Sequence, residues 1–330
     1  MKGEVTLDVV AKIAGVSAIT VSRAINKPEK VAPKTLEKVN RAIVKTGYVP
    51  NLLAGALASR SSKLIAAIVP SIANLLYAET IRLFSNRCRE AGYQVLLGDS
   101  GYPEVLEEEL VAAILTRRPD GILLTGVDHS PACRNLLLSA NIPIVETWDI
   151  TPSPLDIVVG FNHVMVGQAV ATFIHKKGYE CVGFVTADDT RGVLRRQSAQ
   201  QSLEELGYKD FSTASVPAPT TMGYGRSGAQ ELLDSGFNRG VIYCSSDTLA
   251  QGVIAELQSR SFRIPEDIAV IGFGDQVFSP SLHPPLTTVH IDRERIGREA
   301  VDALLARINN QPIKTNIIDI GFTILEREST

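Results

Sequence analysis

From Lys63 onward the chain is punctuated by short, fully apolar runs set about a helix-length apart, and no other feature narrows its possible folds as much. L-I-A-A-I-V-P (Leu64 to Pro70), Y-Q-V-L-L-G (Tyr93 to Gly98), G-I-L-L-T (Gly121 to Thr125) and P-I-V-E-T-W (Pro143 to Trp148) read as strands buried on both faces. That is the pattern of a parallel sheet, whose crossovers pass through helices. A connecting strand from Asp156 to Phe161 leads to a second series: V-G-F-V-T-A (Val182 to Ala187), G-V-I-Y-C-S (Gly240 to Ser245) and I-A-V-I-G-F (Ile268 to Phe273). Helices are expected between them from near Val164, Arg195, Ser227 and Thr248. L-T-T-V-H-I (Leu286 to Ile291), a helix from Arg293 to Asn309 and a strand from Asp319 to Leu325 close the chain. The expectation is an α/β body of two doubly wound parallel sheets, their strand carboxyl ends gathered around one cleft.

The first sixty residues follow a different period. In T-L-D-V-V-A-K-I-A-G-V-S-A-I-T-V-S-R (Thr6 to Arg23), Leu7, Val10, Ala11 and Ala14 recur at helical spacing, Gly15 breaks the run, and Ser17 opens a second short helix with Val21 facing inward. Thr6 stands where a cap is needed and Asp8 in the first turn favours the helix dipole. The pattern is a helix-turn-helix, whose second helix enters the major groove with its N-terminal residues at base edges. Its exposed face is expected to carry Ala18, Ile19, Ser22 and Arg23. A third helix runs from about Pro33 to Thr46 and ends near Gly47. Tyr48-Val49-Pro50-Asn51 leads into L-L-A-G-A-L-A-S (Leu52 to Ser59), too short for an isolated helix and weakened at Gly55 by about 1 kcal/mol relative to alanine. It reads as a plain linker or as a segment that orders on DNA with Leu57 wedged into the minor groove.

Charge separates the two parts. Up to residue 62 there are ten Lys or Arg against four Asp or Glu, a net +6, whereas all 330 residues carry −3, so the rest holds −9. A basic head on an acidic body points to a polyanion contact confined to the head, some of its lysines being simply solvated. Cys88, Cys133, Cys181 and Cys244 form no C-x-x-C pair and the five histidines show no metal-ligand spacing, so buried thiols, no metal and no cofactor are expected. There is no signal-peptide core and no apolar run long enough for a bilayer, which leads us to expect a cytoplasmic protein with no membrane partner. P-loop, G-x-S-x-G and nucleophile–base–acid patterns are missing, so an enzyme is not expected.

Together, the A-G-V-S-A-I-T-V-S-R and G-Y-V-P-N segments, P-S-I-A-N (Pro70 to Asn74), D-G-I-L-L, C-S-S-D (Cys244 to Asp247) and I-A-V-I-G-F resemble the lactose repressor (LacI) family over essentially the whole chain. V-E-T-W-D with L-D-I-V-V-G-F resembles its gluconate and idonate repressor branch. The resemblance implies an all-α head at 1–48, a hinge at 49–62 and a periplasmic-binding-protein-like body at 63–330. The N-lobe would take about 63–160 and 288–320, the C-lobe about 161–287 and the C-terminus. It also implies a homodimer on a near-palindromic double-stranded operator, responsive to a small-molecule effector. Only eight residues follow Phe322, with no leucine heptad, so no four-chain bundle is expected.

Carried over residue by residue, the resemblance assigns DNA contact to Thr6, Ser17, Ala18, Ile19, Thr20, Ser22, Arg23, Asn26, Tyr48, Asn51 and Leu57. Ala18 and Ile19 are apolar, leaving Arg23 as the main hydrogen-bonding reader. Ala32 replaces a capping serine before the third helix. For the effector it assigns Arg195, with Ser198 where the family has glycine, and Tyr77, Ser246, Trp148 and Asp275, the last beside Gly274 where the family has aspartate. Glu146 and Asp149 flank Trp148, surface carboxylates being their alternative. Asp247 is expected to cap a helix, His163 to affect the lobe crossover, and His129 is a further cleft candidate. A guanidinium fork suits the carboxylate of a sugar acid or a sugar phosphate; a nucleobase corepressor or a solute-binding module are the competing readings.

Overall fold

The computed structural model describes residues 5–49 and 61–330, which fall into two compact units, Met1–Ser62 and Lys63–Thr330. The expected hinge lies almost wholly outside the described residues, and with it Asn51 and Leu57.

In the head, α1 (Leu7–Ala14), α2 (Ala18–Asn26) and α3 (Pro33–Thr46) close around Val10, Val21 and Val39, all fully buried, with Ala11, Ala14, Ala24 and Ala42 between them. Small residues let the helices approach. Gly15 ends α1 at φ 68°, a left-handed conformation open to glycine at little cost, and returns its N–H to the Ala11 carbonyl. Ser17 caps α2 by accepting from the Thr20 N–H at 3.2 Å. Thr6 occupies the cap position of α1 without a side-chain bond, and Ala32 has none to offer α3, which starts on Pro33.

The body contains β1 (Leu64–Val69), α4 (Leu75–Glu90), β2 (Gln94–Asp99), α5 (Glu104–Leu115), β3 (Gly121–Thr125), α6 (Pro131–Ala140), β4 (Ile144–Thr147) and β5 (Ile157–Gly160). The chain continues through α7 (His163–Lys177), β6 (Val182–Ala187), α8 (Thr190–Glu205), β7 (Phe211–Val216), α9 (Met222–Asp234), β8 (Gly240–Cys244), α10 (Asp247–Ser259) and β9 (Ile268–Phe273). It ends with β10 (Thr287–His290), α11 (Arg293–Ile308), β11 (Ile317–Asp319) and β12 (Thr323–Leu325). Two sheets form, in the orders β11-β5-β4-β3-β1-β2 and β12-β10-β9-β8-β6-β7. All pairs are parallel except β10 with β12.

Several expectations shift. The second-series helices start at His163, Thr190, Met222 and Asp247 because Asn162, Asp189, Thr221 and Ser246 cap them. For α8 and α9 this is a turn or more earlier than apolar periodicity indicated. β2 is an edge strand, so Gln94, Leu97 and Asp99 are exposed; the other edge strand, β7, escaped notice because its Ser and Thr dilute the apolar run. The stretch from Asp319 to Leu325 is not one strand. Gly321, at φ 67°, divides it, and β11 joins the first sheet while β12 joins the second. β10 lies in the second sheet, so the return to the first lobe falls after His290 rather than at 288. The chain thus passes between lobes three times, after Gly160, after His290 and after Asp319.

Candidate functional site

In an open parallel sheet, ligands bind beyond the carboxyl ends of the strands, and two sheets facing one another produce one such place. A cavity of about 210 Å³ is lined by Pro70 after β1, Gly101 and Tyr102 after β2, Asp128 after β3, Asp149 after β4 and Asp188 to Arg191 after β6. A narrower extension is lined by Tyr77, Trp148, His163, Arg195, Thr220, Ser245, Ser246 and Phe273. Drug-sized ligands fill about 300–1,000 Å³, so the space fits a small metabolite.

Arg195 is 5% exposed and held on three sides. Its Nη1 donates to His163 Nδ1 and its Nη2 to the Ser245 carbonyl, both at 2.9 Å, and the guanidinium lies 3.7 Å from the Phe273 ring centre. His163 in turn meets the Trp148 carbonyl through Nε2 at 2.9 Å. A ring that accepts at Nδ1 and donates at Nε2 is the neutral tautomer. Burial, together with Arg195 and Arg191, holds its pKa well below the ordinary value. The helix pair carrying these groups packs closely because Gly167 leaves room: a Cβ there would sit 2.0 Å from Ser198 Oγ and 2.4 Å from the Arg195 carbonyl. Ser198, in the place of a family glycine, is accommodated by this glycine opposite.

Arg191, one helical turn before Arg195, was missed in the sequence because α8 was expected to start later. Its guanidinium lies 5.5 Å from the Tyr77 ring centre, and its buried Nη1 has no hydrogen-bond partner, nor has Nε of Arg195. Unpaired buried cationic donors invite an anion. Tyr77 packs edge-on to Trp148 at 5.5 Å, and Trp148, 3% exposed, has φ 70°, an uncommon backbone for a bulky side chain that recurs at binding sites. Asp149 is buried; this raises its pKa to about 6, against the lowering by the Ile150 N–H and Arg191. Tyr102, Asp189 and Phe273 also line the cleft without having been expected.

Tyr77, Trp148, Asp149, Arg195 and Ser246 therefore converge on the cleft. Glu146 and Asp275 do not line it. Glu146 is fully buried, accepting from the Leu155 N–H at 2.7 Å, because β4 alternates and turns it to the opposite face from Thr147. Asp275 is engaged by Arg327 at 2.7 Å and His290 at 2.8 Å. Ser246, not Asp247, caps α10; Asp247 is fully buried and accepts from Ser279 Oγ at 2.5 Å, Thr288 Oγ1 at 2.6 Å and the Gln276 N–H at 2.8 Å. His129 is turned inward behind the cleft wall, its side chain 1% exposed.

In the head, Ile19 is 71% exposed, and Thr6, Ser17, Arg23 and Asn26 are exposed too. Ala18, Thr20 and Ser22 are half-buried, Ala18 packing partly on the head core. Asn26 bonds back to the Ser22 carbonyl at 2.9 Å, and Tyr48 rests half-buried on the core. Among the described residues no helix is long and apolar enough to cross a membrane.

Residues 6–51 match the model of bacterial regulatory proteins of the lacI family, and residues 171–330 that of a periplasmic binding protein-like domain. The transcriptional regulator GntR of Pseudomonas aeruginosa is 36% identical, covering 99% of this chain and 96% of its own. The regulator IdnR of Escherichia coli is 30% identical, covering 97% of each. A solved LacI-family transcriptional regulator from Silicibacter pomeroyi superposes with a TM-score of 0.93 at 29% identity, covering 98% of this chain and 99% of its own. Helical reader, two-lobed body and full-length relatives agree: the chain belongs to the LacI family of bacterial helix-turn-helix transcriptional regulators, on the branch of GntR and IdnR.

Proposed function

We propose that the chain is a metabolite-responsive repressor that binds a near-palindromic operator as a homodimer in the cytoplasm and answers to gluconate or a closely related sugar acid. The observation that carries the ligand class is the pair of arginines, Arg191 with Nη1 and Arg195 with Nε unpartnered, set in one cleft with the carboxylates of Asp128, Asp149 and Asp189. A guanidinium pair suits a terminal carboxylate, and carboxylates accept from chain hydroxyls. A polyhydroxy acid presents both at once. Operator contact falls to Ile19, Arg23 and their neighbours on α2, with phosphate contacts making affinity fall steeply with salt. The relatives are named as transcriptional regulators, which supports reading the cleft as a binding site.

The test is thermal unfolding of the full chain with gluconate, glucose, 6-phosphogluconate and purines, since a ligand of the folded state raises the transition in proportion to the logarithm of its excess over Kd. Gluconate should raise it and glucose, lacking the carboxylate, should not. A rise with purines alone would overturn the sugar-acid reading.

A further inference from the structure

Behind the cleft wall, where Glu107 forms part of the lining, the His129 ring is inserted between two carboxylates. Nδ1 lies 2.9 Å from Glu107 Oε2, and Nε2 lies 3.6 Å from Glu146 Oε1. The three side chains are 14% exposed or less. Neither Nε2 nor Glu146 Oε1 has a hydrogen-bond partner. A carboxylate thus stands at each ring nitrogen, and the contact between Nε2 and Glu146 is too long for a hydrogen bond. Cys133, fully buried in the first turn of α6, completes the picture: the ligand atoms of Glu107, His129 and Cys133 lie within 4.8 Å of one another. Carboxylate oxygen, imidazole nitrogen and thiolate sulfur are the donors that borderline divalent cations of the zinc class select.

We propose that Glu107, His129 Nδ1 and Cys133 form a binding site for one divalent transition-metal ion, with Glu146 as the residue that orients the histidine. On binding, the Cys133 thiol gives its proton to solvent and its sulfur bonds the metal. His129 bonds the metal through Nδ1 as a neutral imidazole, its one ring proton on Nε2 and donated to Glu146. Both orphaned atoms gain a partner in that one step. The resulting order of carboxylate, histidine and metal is the usual support of a ligating imidazole. Residue spacing hid the site, because Glu107 comes 22 residues before His129 and the ligands straddle a helix start.

Cobalt(II) titration of the chelator-treated full chain tests this. The result expected is one equivalent bound, with a thiolate-to-cobalt charge-transfer band and displacement by zinc(II). Cys133→Ser should abolish the band and Cys181→Ser should leave it unchanged. Glu146→Gln should keep the band but weaken binding about 10- to 100-fold. No stoichiometric uptake by the unmodified chain, uptake without the band, or a band that survives Cys133→Ser would each overturn the assignment, whether or not every variant folds.

Discussion

The two binding regions are built on opposite terms. The head presents the residues proposed to read DNA on one exposed face of a nine-residue helix, α2, over a core of a few valines and alanines. The cleft draws its side chains from the ends of many separate strands and keeps Arg195, His163 and Trp148 nearly out of solvent. On an exposed face a substitution removes a contact with the partner and little else. In the cleft, replacing a group that holds buried partners also leaves donors or acceptors unpaired, so ligand binding and stability are tied together at such groups and separable on the exposed face of α2.

The largest expected effect lies beside the cleft. Asp247→Ala strands two hydroxyls and one N–H, and should lower unfolding free energy by about 3–5 kcal/mol in urea titration; a loss below about 1 kcal/mol would break the comparison. Asp149→Asn should act in the opposite direction. Its folded pKa of about 6 lies above the ordinary carboxylate value of about 4. The buried charge is therefore a penalty present above pH 6 and relieved as pH falls from 6 towards 4. The variant should gain up to about 3 kcal/mol at pH 8 while binding sugar acid more weakly, and in the parent chain affinity should decline as pH drops through 6. Calorimetry across pH checks both.

Arg191→Ala should cost about 1.5–3 kcal/mol of effector affinity, with a smaller effect on unfolding than Asp247→Ala, since its Nη1 has no hydrogen-bond partner and the guanidinium keeps only its packing on Tyr77. Arg23→Ala should cost about 1–3 kcal/mol at a matched base pair and nothing in effector affinity, as read by fluorescence anisotropy on operator DNA. The smallest change expected is Gly15→Ala, about 1 kcal/mol from forcing a Cβ onto a left-handed backbone; its unfolding and operator binding should shift together.

The same contrast decides what could be read in the residues. α1, α2 and α3 and their caps were legible because the signals are local: Gly15, Ser17, Pro33 and Gly47 stand next to the elements they start or stop. So were the central strands, whose burial on both faces leaves an unbroken apolar run. Edge strand β7 was not, since only two of its six residues, Ala214 and Val216, are buried. In the cleft, Tyr77, Trp148, Asp149, Arg195 and Ser246 were reached through family motifs, whereas Arg191 and the His163 bridge depend on where a helix starts and what lies across the fold. Glu146 and Asp275 misled for the same reason: neighbours of cleft residues in sequence, they sit on the other face of a strand or past the end of one.

The triple passage between the lobes constrains how such a body can be recombined. A single junction near Phe161 cannot exchange one lobe for that of a relative, because α11 and β11 would still come from the other parent and β11 would pair with a foreign β5. A clean graft needs three junctions at once. Chimaeras made by one crossover must therefore match two ancestries inside the first sheet.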